Sequence, residues 1–169
     1  NGGAERSLVN LLQLLDYNRY NVDLLLFQNE GMFLKQVPKA VNIISNCNKL
    51  YTLYDNNKAE ALKHPYLSAV HMIGTFISRK KTNSVAKSRQ YRWEHFYKKI
   101  VPELTKEYDV AIAYMQREQT YFLVDKVKAA KKIAWVHNEY SQLGHFKEMD
   151  LEYFEKVDKV VTISDLCAK

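Results

Sequence analysis

The stretch "YDVAIAYMQREQTYFLVDKVKAAKKIAWVHN" (108–138) decides the fold. Its first eight residues centre on Val110, Ala111 and Ile112, a short apolar run that reads as a buried strand over 108–115. The residues 118–130 that follow carry Tyr121, Phe122, Leu123 and Val124 among helix formers and read as a helix. "KKIAWVHN" (131–138) reads as a second strand. A strand, a helix and a strand joined by short connections make a parallel crossover. The same alternation continues with a short helix at 150–157 and a strand at 158–164, "DKVVTIS".

Working outward to the amino-terminal side, "NGGAERSLVNLLQLLD" (1–16) puts Leu8, Val9, Leu11, Leu12, Leu14 and Leu15 at helical spacing directly after two glycines. Asn21–Phe27 holds a continuous apolar centre between turn-type residues, as a strand covered on both faces would. A short segment around Phe33 and Leu34, a break at Pro38 and a strand at Val41–Ile44 come next. Residues 58–78 and 88–107 are helix-compatible, the second kinked or divided by Pro102. The expected fold class is α/β, a doubly wound Rossmann-like parallel sheet with helices on both faces. Such a sheet begins with a strand feeding the glycine turn, whereas this chain begins at the turn, so a first strand is expected ahead of it.

With 169 residues, 47% of them hydrophobic and only 5 Gly and 3 Pro, the chain suits one compact domain, 1–169. No apolar run reaches the length of a membrane span and no secretory leader is visible, so a cytoplasmic protein is expected. Cys47 and Cys167 lie far apart with no metal-ligand spacing and read as small apolar residues in a reducing compartment. The net charge of +6 is concentrated in Arg79–Lys99, "RKKTNSVAKSRQYRWEHFYKK", where eight Lys or Arg stand against one Glu. Its interleaved Tyr91, Trp93, Phe96 and Tyr97 suit nucleic-acid stacking or an anionic lipid surface, or else a solvated helix face over core rings.

In open α/β sheets ligands lie beyond the carboxyl ends of the strands. The residues placed there are Gly2 and Gly3 at the first helix, Gln116 and Glu118 after the strand near Met115, His137, Asn138 and Glu139 after Val136, and Ser164 and Asp165 at the end. Glycine lets a phosphate or sugar hydroxyl approach the backbone where a helix end offers unpaired N–H groups. "NGGAE" fits neither the dinucleotide fingerprint nor the P-loop. Among the histidines, His137 stands where a strand emerges at the ligand edge, and an imidazole there can accept a hydroxyl proton or hold a sugar hydroxyl. His64, His71, His95 and His145 read as surface or packing residues. No nucleophile triad stands out.

"GGAERSLVNLL", "YNVDLLLF", "EYDVAIAYMQ", "KKIAWVHNEY" and "VDKVVTISDLC", in this order, resemble the N-terminal domain of retaining glycosyltransferases of family 4, the two-domain GT-B type of bacterial capsule, exopolysaccharide and lipopolysaccharide assembly. The resemblance covers essentially the whole chain. It implies an acceptor-binding domain that faces a C-terminal donor-binding domain, with a nucleotide sugar as donor, a glycan or lipid-linked acceptor, no cofactor and no bound metal. Gly2 and Gly3 would form the loop facing the donor diphosphate and acceptor. His137 would lie near the transferred sugar and orient or stabilise it. Tyr114, Gln116 and Asn138 would lie on the acceptor side, and Ser164 at the interdomain edge. The donor domain lies outside the sequence, so the chain alone is expected to be inactive. The basic segment Arg79–Lys99 would hold the cleft near the inner face of an anionic membrane. A non-enzymatic nucleic-acid-binding module using the same segment is the alternative.

Overall fold

The computed structural model describes residues 2–28, 31–44, 48–54, 62–137 and 144–164. The chain is α/β and contains two small parallel sheets, in two compact units, Asn1–His71 and Met72–Lys169.

In the first unit, helix α1 (Gly3–Leu14) starts directly after Gly2, whose extended backbone caps it. Val9 and Leu12 are buried, Leu8, Leu11 and Leu15 half-buried, and Leu14, off that stripe, is exposed. Strand β1 (Asp23–Leu25) pairs in parallel with β2 (Asn42–Ile44), Leu24 opposite Ile43. Asn42 Nδ2 donates to Asp23 Oδ1 at 2.8 Å along this pair. The strand expected over Asn21–Phe27 is shortened to three residues, and all three are half-buried. Phe33 and Leu34 lead into a turn of 3₁₀ helix, Leu34–Gln36. A helix that the sequence reading did not assign, α2 (Asn48–Tyr54), follows and buries Leu50 and Leu53. Helix α3 (Pro65–Lys81) carries the chain into the second unit. The expected helix over 58–78 falls partly on residues outside those described.

In the second unit, Ser84 starts helix α4 (Val85–Arg92) by accepting the Lys87 N–H at 3.1 Å. The helix continues through a π-helical segment, Trp93–Tyr97, and a last turn, Lys98–Ile100. It stops short of the expected Glu107. Val101, which precedes Pro102, is extended as the proline ring requires of its neighbour. Strand β3 (Glu107–Ala113), helix α5 (Glu118–Lys126), strand β4 (Lys128–Val136), helix α6 (Lys147–Phe154) and strand β5 (Lys159–Thr162) complete the unit.

The three strands are parallel in the order β3-β4-β5, with Ala113 opposite Ala134 and Val136 opposite Thr162. Ala113, Ala134 and Val136 are buried on one face of the sheet, and α5 packs against β3 and β4. One expectation is corrected here. Residues 127–130 do not extend the helix: Val127 is extended, and Lys128 and Ala129 pair with Glu107 and Tyr108. Parallel pairing outweighs the modest helix propensity of Lys-Ala-Ala.

The core of this unit is polar as well as apolar. Trp93, Tyr97 and Tyr121 are almost wholly buried. The Trp93 indole N–H donates to Asp125 Oδ2 at 3.0 Å, and Tyr153 donates to the same oxygen at 2.7 Å. Glu118, buried at the start of α5, pairs with Arg89. Tyr121 donates to Asp150 Oδ1, and Asp150 Oδ2 lies 3.0 Å from His145 Nδ1. Gln90 donates to the Tyr121 hydroxyl at 2.9 Å and receives the Phe146 N–H at 2.6 Å, which ties α4 to α5 and to the start of α6. Among the described residues, no helix is long and apolar enough to cross a membrane.

Candidate functional site

Because the strands of the second unit are parallel, their carboxyl ends share one edge. Tyr114 and Gln116 follow β3, His137 follows β4, and Ser164 follows β5. Side chains alternate along a strand, so His137 and Trp135 leave β4 on the face opposite Ala134 and Val136. Continuing the register from Ala113 and Ala134 places Tyr114 beside Trp135. The rings bear this out. Tyr114 stacks on Trp135 with centroids 4.9 Å apart and planes at 21°, and His137 lies 4.8 Å from Tyr114 and 5.6 Å from Trp135. The result is a half-buried aromatic wall ending in an imidazole.

Two details set the chemistry of that imidazole. Burial pushes its pKa below 6.5, and a hydrogen bond to the Tyr114 main chain acts in the opposite sense. A bond that favours the charged form is one in which the ring donates. His137 Nε2 is buried without a hydrogen-bond partner among the described residues. Gln116, almost fully buried, accepts the His137 main-chain N–H at 3.3 Å through Oε1, and its Nε2 has no partner among the described residues. An imidazole nitrogen and an amide with unused hydrogen-bonding capacity, together with aromatic faces, suit a neutral polyhydroxylated ligand: hydroxyls for the polar atoms and a C–H face for the rings.

The backbone between Gln116 and α5 is unusual. Arg117 has φ 74° and ψ −125°, a region that side chains strongly disfavour. Replacing Arg117 by glycine is expected to raise the unfolding free energy by about 1 kcal/mol, strain relief exceeding the added entropy of the unfolded chain. Urea denaturation measures it, and a loss of stability would mean that the Arg117 side chain holds the turn.

Gly2 and Gly3 belong to the first unit. A methyl group added at either would meet nothing within 4 Å, so the fold itself does not demand glycine there. The Gly2 N–H donates to Glu5 Oε2 at 2.8 Å, and this bond is the main reason the Glu5 pKa falls below its ordinary value. An anion at this helix start would therefore compete with the carboxylate of Glu5. Ser164 is exposed, and its carbonyl receives the Thr162 hydroxyl at 3.2 Å. Asn138, Glu139 and Asp165, together with Cys47 and Cys167, lie outside the described residues.

The sequence reading missed Trp135 as part of the wall. Its signal was the alternation Ile133, Trp135, His137 along a single strand. Within Arg79–Lys99 the Trp93 and Tyr97 rings turn inward, while Tyr91 and Phe96 are half-buried. At the opposite edge of the sheet an open pocket of about 780 Å³ is lined by groups of both signs, among them Glu103, Glu107, Asp109, Lys126, Lys128 and Lys132. Among the described residues no group of three His, Cys, Asp or Glu side chains could hold a metal ion. Compared with protein-family models, curated proteins and solved structures, the chain matches none.

Proposed function

We propose that the chain is the acceptor-side domain of a GT-B sugar transferase, of doubly wound Rossmann-like type, working with a nucleotide-sugar donor on a glycan or lipid-linked acceptor in cell-surface polysaccharide synthesis. The observation that carries the reading is the His137 imidazole, its Nε2 without a hydrogen-bond partner among the described residues, beside Gln116 and the Tyr114–Trp135 pair at the carboxyl edge of a parallel sheet. In this role the aromatic wall takes the apolar face of a sugar and Gln116 donates to a hydroxyl. His137 positions the reacting hydroxyl without taking up a full charge. Asn138 adds an acceptor contact and Ser164 marks the interdomain edge. Gly2 and Gly3 face the donor diphosphate, whose arrival displaces the Glu5 carboxylate from the Gly2 N–H. The enzyme works from the cytoplasmic side, peripheral to the membrane, and needs its donor domain for transfer.

The nucleic-acid alternative keeps the cations of Arg79–Lys99 and loses two of its four rings, since Trp93 and Tyr97 are buried. A chemical-shift titration separates the two readings. Oligosaccharides and nucleotide sugars are expected to move the resonances of His137, Gln116, Gly2 and Gly3, and His137→Ala or Gln116→Ala to weaken oligosaccharide binding about tenfold each, the worth of one lost hydrogen bond. The same titration followed against pH is expected to place the His137 pKa below 6.5. The unfolded chain then takes up the proton first. This residue therefore costs no stability above the ordinary histidine pKa and destabilises the fold progressively as pH falls below it. Silence at these residues, with shifts along Arg79–Lys99 on adding an oligonucleotide, would overturn the proposal.

A further inference from the structure

Helix α3 is amphipathic in the unusual sense. Its inward side buries Leu67 and, further along, two small groups: Gly74 lies against the Phe96 ring, and Ser78 is fully buried with its hydroxyl 2.7 Å from Ser88 Oγ. Its outward side is apolar. Met72, Ile73 and Phe76 are 70%, 55% and 62% exposed. At 100° per residue these three fall on one arc together with Arg79 and Lys80. The arc runs into Arg79 and Lys80 at the carboxyl end of the helix, and the Lys80 ammonium sits 4.3 Å from the Phe76 ring centre.

Charge selects the occupant. Between Glu60 and Glu94 there is no acidic residue, while Lys63, Arg79, Lys80, Lys81, Lys87, Arg89 and Arg92 all fall in that interval. Met72–Lys81 itself holds no acidic residue, so a protein groove or a second copy of this chain would have to bring the compensating acid to Arg79 and Lys80. An anionic bilayer supplies both halves at once: acyl chains for Ile73 and Phe76, and headgroup charge for cations whose stems lie along the apolar ridge.

We infer that the face of α3 formed by Met72, Ile73, Phe76, Arg79 and Lys80 is a membrane-interfacial surface that lies in the headgroup region of an anionic leaflet. The inference deepens the transferase reading, on which it rests for the reason that a membrane-borne acceptor is nearby. It moves the lipid contact from the aromatic residues of Arg79–Lys99, two of which are core rings, to the ridge that precedes them. The cations at the start of that segment keep their role.

Vesicle co-sedimentation of the purified chain tests it, using phosphatidylcholine vesicles with and without phosphatidylglycerol. Binding is expected to the anionic vesicles and to fall with salt. The double variant Ile73→Asp, Phe76→Asp should lower the partition coefficient at least about tenfold, because each substitution removes an apolar group that would enter the bilayer and adds a charge. Arg79→Glu with Lys80→Glu should lower it several-fold at low salt. Both variants alter exposed residues, and far-UV circular dichroism checks that each is folded. Undiminished binding by the first variant overturns the inference. So does a wild-type chain that ignores anionic vesicles, or one whose binding is to an oligonucleotide instead. The His137 titration with oligosaccharides reads the sugar site independently, so failure of the lipid surface and failure of the transferase reading give different results.

Discussion

Replacing Trp93 by alanine is expected to lower the unfolding free energy by about 3–5 kcal/mol. The side chain is fully buried in the π-helical segment and packs at 6.3 Å and 6.5 Å, centre to centre, against the rings of Tyr121 and Phe122 on α5. Its removal leaves a cavity that cannot collapse easily, because α4 and α5 are also held apart by hydrogen bonds of fixed length through Gln90 and Tyr121. It also withdraws the indole donor from Asp125, which keeps the Tyr153 hydroxyl and the Lys98 ammonium as partners. The cost is therefore mainly packing. Trp93→Phe, which keeps most of the apolar area and loses the donor, should cost about 1–2 kcal/mol. Urea titration reads both, and with a slope of about 1–3 kcal/mol per molar the alanine variant's midpoint falls by about 2 M. A shift in the alanine variant no larger than that of the phenylalanine variant would contradict the packing described here.

The parts of this molecule that are legible in the sequence are those with a period long enough to count. α1 announces itself by apolar residues at helical spacing directly after Gly2 and Gly3, and β3 and β5 by short apolar runs between turn residues. Boundaries set by pairing are not legible. Lys128-Ala129-Ala130 has no β character of its own and becomes strand because Glu107 and Tyr108 lie alongside. α2, seven residues long, is too short to show a face. At the candidate site, His137 and Gln116 are found by the rule that ligands meet strand ends, whereas Trp135 joins them only through the register of β3 on β4. The orientation of α3 is hidden for a different reason. Periodicity shows that a helix has two faces, but past Leu67 the residues turned inward are the small ones, Gly74 and Ser78. The surface character of Met72, Ile73 and Phe76 is a property of the packing around them.

Asp150→Ala is expected to cost about 3–5 kcal/mol, through the polar groups it would abandon. Asp150 accepts from the Tyr121 hydroxyl with one oxygen and meets His145 Nδ1 with the other, and all three side chains are buried. Burial, reinforced by the Asp150 carboxylate, pushes the Tyr121 pKa far above the ordinary tyrosine value, so the phenol is a neutral donor at every working pH. Truncating the acid leaves that donor facing a void, and the penalty belongs to the partners as much as to the aspartate. A double-mutant cycle separates the two contributions. Tyr121→Phe alone removes donor and polar oxygen together and should cost about 1 kcal/mol, with Gln90 still tied to Phe146. Combined with Asp150→Ala it should cost less than the sum of the single changes, by about 1–2 kcal/mol, because no hydroxyl is then left orphaned. Strict additivity would place the cost of Asp150→Ala in His145 or in the start of α6 instead. The cluster matters to the proposed site because Gln90 clamps both main-chain polar groups of Phe146, the residue from which α6 departs on the carboxyl side of β4. Loosening it is expected to broaden the amide resonance of His137 before the whole unit unfolds.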